Sequence, residues 1–192
     1  MTDAEALGVT AARLLAALDC CPIEPGLTDA EFARVEAEHG ISFTDDHRAF
    51  LAAGLPVDPP GSDRARWPDW RAGPRDDVHH LITFETDLLT NAIRTGHWED
   101  AWGPRPPSGD SAVAVFETFL AGAEQIVPIY AHRYVPGRPG SSGNPVLSMY
   151  GFDIIYYGAD LPSYIANEFG GGDLTFPDGW EPAPLAFWDR YL

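Results

Sequence analysis

Residues 145–169 read PVLSMYGFDIIYYGADLPSYIANEF. VLSMY and IIYY are short runs of β-formers, and Gly151-Phe152-Asp153 joins them as a tight turn, so this piece reads as a hairpin. Asp160 then stands where an N-cap belongs, ahead of a short helix in which Leu161, Tyr164, Ile165 and Phe169 share one face before the glycine run 170–172. Just upstream, IVPIYAHRYV alternates. Ile126, Pro128, Tyr130 and His132 fall on one side and Val127, Ile129 and Ala131 on the other, the period of a strand.

Further upstream the period changes. In LTDAEFARVEAEHG, Thr28 and Glu31 form a capping box, Leu27 and Phe32 occupy the staple positions, and Gly40 stops the helix. Thr44 starts another helix, with Asp45 and Asp46 in its first turn and Phe50 and Leu51 pointing inward before Gly54. An opening amphipathic helix is expected near residues 3–18. The chain from Pro56 to Pro74 reads as a long loop pinned by Trp67 and Trp70, and GPRPPSG at 103–109 as another. SAVAVFETFLAGA returns to helical spacing. Residues 78–98, VHHLITFETDLLTNAIRTGHW, read as helical in part, with strand character at Ile82, Thr83, Phe84 and Thr86. Helices first and strands later predict an α+β fold: N-terminal helices packed on a mainly antiparallel sheet formed largely by the C-terminal half. With 192 residues and no internal repeat, one domain over 1–192 is expected.

The formal net charge is −17, and no lysine is present. Residues 1–46 carry −8, residues 47–150 −3 and residues 151–192 −6. Such a field repels phosphate backbones and speeds encounter with cationic proteins, which disfavours nucleic acid and favours a basic protein partner, although the same charge also serves solubility. No apolar run approaches the roughly 20 residues that cross a bilayer, and the acidic opening lacks a secretory pattern, so the expected compartment is the cytoplasm, with no membrane partner. The adjacent Cys20 and Cys21 make a mutual disulfide strained, and closing an apolar helix they are expected to be buried, inert thiols.

Asp153 among Tyr150, Tyr156 and Tyr157 poses the question of chemistry. A lone carboxylate in a turn is more cheaply explained by backbone hydrogen bonds than by catalysis, and phenols titrating near pH 10 suit recognition better than proton transfer. The six histidines show no metal-ligand spacing, GSSG at 140–143 lacks the nucleophile-elbow pattern, and Gly170–Gly172 lacks the Lys and Ser/Thr of a phosphate loop. No catalytic residue, metal or cofactor is therefore expected. Tryptophans and tyrosines, by contrast, exceed what a small pocket needs and are typical interface anchors.

Taken together, GLTDAEFARVEAEHGISF, HRAFLAAGLPV, WPDWR at 67–71, HWEDAWGPRP at 97–106, PIYAHRYVP and the 145–169 stretch resemble the SUKH superfamily, the Smi/Knr-like proteins, in their actinobacterial form. The resemblance spans roughly 26–170 and leaves acidic extensions at both ends. It implies an α+β fold with a sheet flanked by helices, no catalytic centre, and a relationship to bacterial immunity proteins that neutralise a polymorphic toxin, while fungal relatives act as signalling scaffolds. Trp98, Trp102, Gly103 and Arg105 match the family's W…WGxRP; His132, Arg133 and Tyr134 its HRY; Asp153, Tyr156, Tyr157, Gly158, Asp160 and Leu161 its D-x-x-YYG-x-DL. Phe152 departs from the small polar residue more usual there.

The expected function is a non-enzymatic, acidic protein-binding domain of immunity type. His132, Arg133, Tyr134, Asp153, Tyr156, Tyr157, Trp98 and Trp102 are the candidate partner contacts and a basic toxin domain is the partner. The alternatives are a regulatory or scaffold protein and, behind it, a hydrolase-like enzyme using His132 and Asp153, which would require those two side chains within hydrogen-bond reach in one pocket.

Overall fold

A computed structural model describes residues 2–63 and 66–192; residues 64 and 65 of the Pro56–Pro74 loop fall outside the described residues. Its fold is α+β. Three helices open the chain: α1 (Asp3–Leu18), α2 (Asp29–His39) and α3 (Asp45–Ala53). Thr2 with Glu5 and Thr28 with Glu31 form full capping boxes, and Thr44 caps α3. Helix α1 lies directly on α3 at Gly8, where a Cβ would stand 2.3 Å from the Asp46 carbonyl oxygen, so only glycine permits this approach. Two short strands, β1 (Ile23–Glu24) and β2 (Leu55–Pro56), pair and close the helical half.

Helices α4 (Arg75–Thr95) and α5 (Gly109–Leu120) precede the main sheet, and α6 (Leu161–Gly170) follows it. The sheet is an antiparallel meander of β3 (Ile126–Tyr130), β4 (Arg133–Pro136), β5 (Val146–Tyr150) and β6 (Asp153–Gly158), in that order. Its two faces separate by alternation along each strand. Val127, Ile129, Val135 and Val146 pack into a core with α1, α2, α3 and α6. Ile126, Tyr134, Leu147, Met149 and Ile154 face α4, α5 and the C-terminal Leu185 and Trp188. Asp160 caps α6 with Ser163, as its place in the sequence implies.

Three expectations are corrected. Residues 78–95 are wholly helical within α4, because Val78, Glu85, Leu89 and Ile93 form a buried stripe at helical spacing, and that burial outweighs the few tenths of a kcal/mol by which β-branched Ile82 and Thr83 resist a helix. IVPIYAHRYV is two strands: Ala131, at φ +48, turns the chain back, with its N–H donating to the Arg66 carbonyl at 2.7 Å. The alternation breaks there. Finally, Cys20 and Cys21 lie beyond the Asp19 cap of α1; both are free thiols, Cys20 exposed and Cys21 half-buried. Trp67 and Trp70 do anchor the long loop, each nearly fully buried.

Candidate functional site

The β3–β4 turn, the end of β5 and the first half of α4 enclose an open cleft of about 660 Å³. Helical spacing puts His80, Leu81 and Phe84 of α4 on one wall. His132 and Tyr150 form the opposite wall, with Asp77 and Arg66 bringing one charge of each sign. The His80 and Phe84 rings meet edge to face at 5.6 Å, and Phe84 lies 6.4 Å from Tyr150. Tyr150 is 65 % exposed, the most exposed large apolar side chain described. His132 is exposed at the turn, yet partial desolvation and then neighbouring Arg133 hold its imidazole below the usual histidine range, so it is neutral at physiological pH.

Of the sequence-derived candidates, His132 is the one whose exposed side chain reaches this cleft. Tyr134 lines its floor but is fully buried, donating its hydroxyl to the Leu81 carbonyl at 3.2 Å; it ties α4 to the sheet and is not a surface anchor. Arg133 is likewise buried. Its Nε donates to Glu168 Oε2 at 3.0 Å, its Nη1 to Ser148 Oγ at 2.9 Å, and its guanidinium lies 4.0 Å over the half-buried Tyr157 ring. This cluster binds α6 to the sheet. Tyr156 is half-buried on the other face against Trp180, 5.1 Å between ring centres. Trp98, half-buried, donates to the Gly103 carbonyl at 2.8 Å and meets Trp102 edge-on at 5.2 Å; Trp102 is in the second core beside Phe116, not at the surface.

Asp153 is exposed, but it pairs with Tyr150 at the start of β6 and does not line the cleft. His132 sits opposite Met149 on β5, and Met149 opposite Ile154 on β6, so the histidine and the aspartate are two strand spacings apart, about 10 Å of backbone. The acid/base pair that the enzyme reading required is not assembled. Among the described residues no three His, Cys, Asp or Glu side chains converge as metal ligands, and no described helix is long and apolar enough to cross a membrane.

Glu85, which sequence reasoning passed over, lies just behind the cleft. Its side chain is fully buried, Oε2 accepts the Gly151 N–H at 2.7 Å, and Oε1 has no partner. Burial pushes its carboxyl up to about 7, opposed by that one N–H. The signal was a charged residue on the apolar stripe of α4, invisible while the segment was read as part strand. His47 is another buried titratable group, with both ring nitrogens unpartnered; burial lowers it to about 3 and it is a neutral core side chain.

A second cavity of about 480 Å³ is lined by Cys20, Cys21, Asp58, Trp67 and Tyr130 among others. Burial and the adjacent Cys20 push the Cys21 thiol up to about 12, which makes it a thiol and not a nucleophilic thiolate.

Comparison with family models, with curated proteins and with solved structures finds no match to this chain.

Proposed function

We propose that this chain is a SUKH-type protein-binding domain of the immunity class, which captures and neutralises a basic toxin domain in the cytoplasm. The observation that carries the reading is the cleft with Tyr150 at its lip: an aromatic side chain left 65 % in water beside His132, His80 and Phe84 is the composition of an interface anchor awaiting a partner. Charge supports it. Arg34, Arg48, Arg71, Arg94, Arg133 and Arg138 are each paired with a carboxylate of the same chain, so the surplus behind the −17 is carboxylate. A surface of that kind speeds encounter with a cationic domain.

Co-expression with a basic toxin domain encoded beside this gene tests the proposal. The chain is expected to rescue growth and to co-purify with the toxin, with an association rate that falls steeply between about 50 and about 500 mM salt, as steered encounters do. A neighbour that is neither bound nor detoxified would sink the immunity reading. An association rate indifferent to salt would assign the cleft to a neutral partner and the protein to the scaffold class.

A further inference from the structure

Helix α1 ends at Asp19, whose φ of 49 turns the chain out of the helix as Cys20-Cys21-Pro22. Pro22 biases Cys21 toward an extended backbone. The Val57 N–H donates to the Pro22 carbonyl at 3.0 Å, which adds a rung beside the β1–β2 pair and brings Asp58 toward Cys21. Both cysteines line the cavity of about 480 Å³, and the Cys20 side chain lies beside the Cys21 thiol. An aromatic wall shares that cavity. Trp67 packs 4.7 Å from Tyr130 and 5.5 Å from Phe169, and the last two meet edge to face at 5.1 Å. Tyr130 and Phe169 are only half-buried, so part of each ring stays open to a ligand.

Three chemistries compete for such a dithiol. A disulfide would draw the sulfurs to about 2.05 Å, and between adjacent residues that closes a strained ring. A divalent cation needs thiolates, whereas burial, and then Cys20, keep the Cys21 proton in place; among the described residues no third His, Cys, Asp or Glu completes a metal site. A trivalent arsenical meets neither obstacle. Its arsenic stands between the sulfurs and enlarges the ring by one atom, and its own hydroxyls take up the thiol protons.

We infer that Cys20 and Cys21 chelate a trivalent mono-organoarsenical, R–As(OH)2, with its organic group seated against Tyr130 and Phe169. Two As–S bonds form and two As–O bonds break. The thiol protons leave on the two hydroxyls as water, and neither arsenic nor sulfur changes oxidation state. Cys20, the exposed thiol, bonds first; Cys21 then closes the ring within one molecule, where the effective concentration of the second thiol is high.

The test incubates the full, reduced chain with phenylarsine oxide, which hydrates to the phenyl compound, and with methylarsonous acid, and reads intact mass and affinity. The chain is expected to gain one phenylarsenic with loss of two thiol hydrogens, and to release it to dithiothreitol but not to mercaptoethanol. Cys20→Ser and Cys21→Ser are each expected to weaken binding by about a hundredfold, because one As–S bond lacks the closing second. The preference for phenyl over methyl is expected to be about tenfold greater in native buffer than in concentrated urea, where the aromatic wall is dispersed. A single-cysteine variant that binds as tightly as the natural chain would overturn the chelate. A phenyl preference that survives urea unchanged would overturn the seat on Tyr130 and Phe169.

Discussion

Glu85 Oε2 accepts the N–H of Gly151, at 2.7 Å, across the gap between helix α4 and the β5–β6 turn. A fully buried carboxylate thus holds the turn that follows Tyr150, with its second oxygen unpartnered. Its folded-state pKa is raised from 4.5 to about 7, so between those values the unfolded chain releases the proton and the folded chain retains it. Stability from this group is complete below pH 4.5 and is lost as pH rises toward 7, by about 3 kcal/mol in all. Glu85→Gln, which keeps a carbonyl oxygen for Gly151, is expected to flatten that slope and to be the more stable protein at pH 8. Urea unfolding of both proteins at pH 5 and pH 8 measures it; parallel losses in the two would refute the assignment. Glu31 works in the opposite sense and in a separate window. Arg71 and the Thr28 backbone lower it to about 2, so its contribution disappears only as pH falls below 4.5.

Glu85 also marks where the sequence stopped being legible. Capping carries its own local signal, so Thr28 with Glu31, Thr44 and Asp160 placed three helix starts correctly. In 78–95 the β-branched and aromatic residues argue one way and the Val78-Glu85-Leu89-Ile93 spacing the other, and the conflict resolves only through what α4 packs on. The hairpin at Ala131 was hidden for a different reason: alanine at φ +48 is held by the Arg66 carbonyl, 65 residues away in sequence, and no local pattern announces it. The site shows the same limit. Tyr134 and Tyr150 are both tyrosines on strands, yet one is 0 % exposed and the other 65 %, because Tyr134 points with Leu147 and Met149 into the core under α4, whereas Tyr150 ends β5 and alternates to the other side.

Arg133 and Glu168 are expected to report on stability, with binding unaffected. Both side chains are largely buried, at 9 % and 19 % exposure, and removing one partner strands the other charge between α6 and the sheet. Glu168→Ala is expected to cost about 3 kcal/mol in urea unfolding, in line with other broken buried pairs. A cost below about 1 kcal/mol, the range of a surface pair, would show that solvent reaches the cluster.

The two cysteines are expected to differ in rate. Cys20 is exposed, whereas Cys21 is half-buried with its thiol pushed up to about 12. Iodoacetamide at pH 8 is expected to modify one thiol quickly, and Cys20→Ser to remove that fast phase and leave a slow one; mass spectrometry of the time course reads both. Equal rates at the two positions would contradict the burial of Cys21.

Tyr150 separates packing from recognition. With two-thirds of its surface in water it has little to lose on truncation, and Tyr150→Ala is expected to change unfolding stability by less than about 0.5 kcal/mol. If the cleft is where a basic partner docks, the same change removes an aromatic anchor and is expected to weaken that complex by about 2 kcal/mol, roughly thirtyfold in Kd, by calorimetry. Tyr134→Ala gives the contrast: its loss empties a core position under α4 and is expected to cost about 3 kcal/mol of stability. A Tyr150→Ala protein that binds its partner undiminished would move the interface off this cleft, because no other large apolar side chain among the described residues stands so far into solvent.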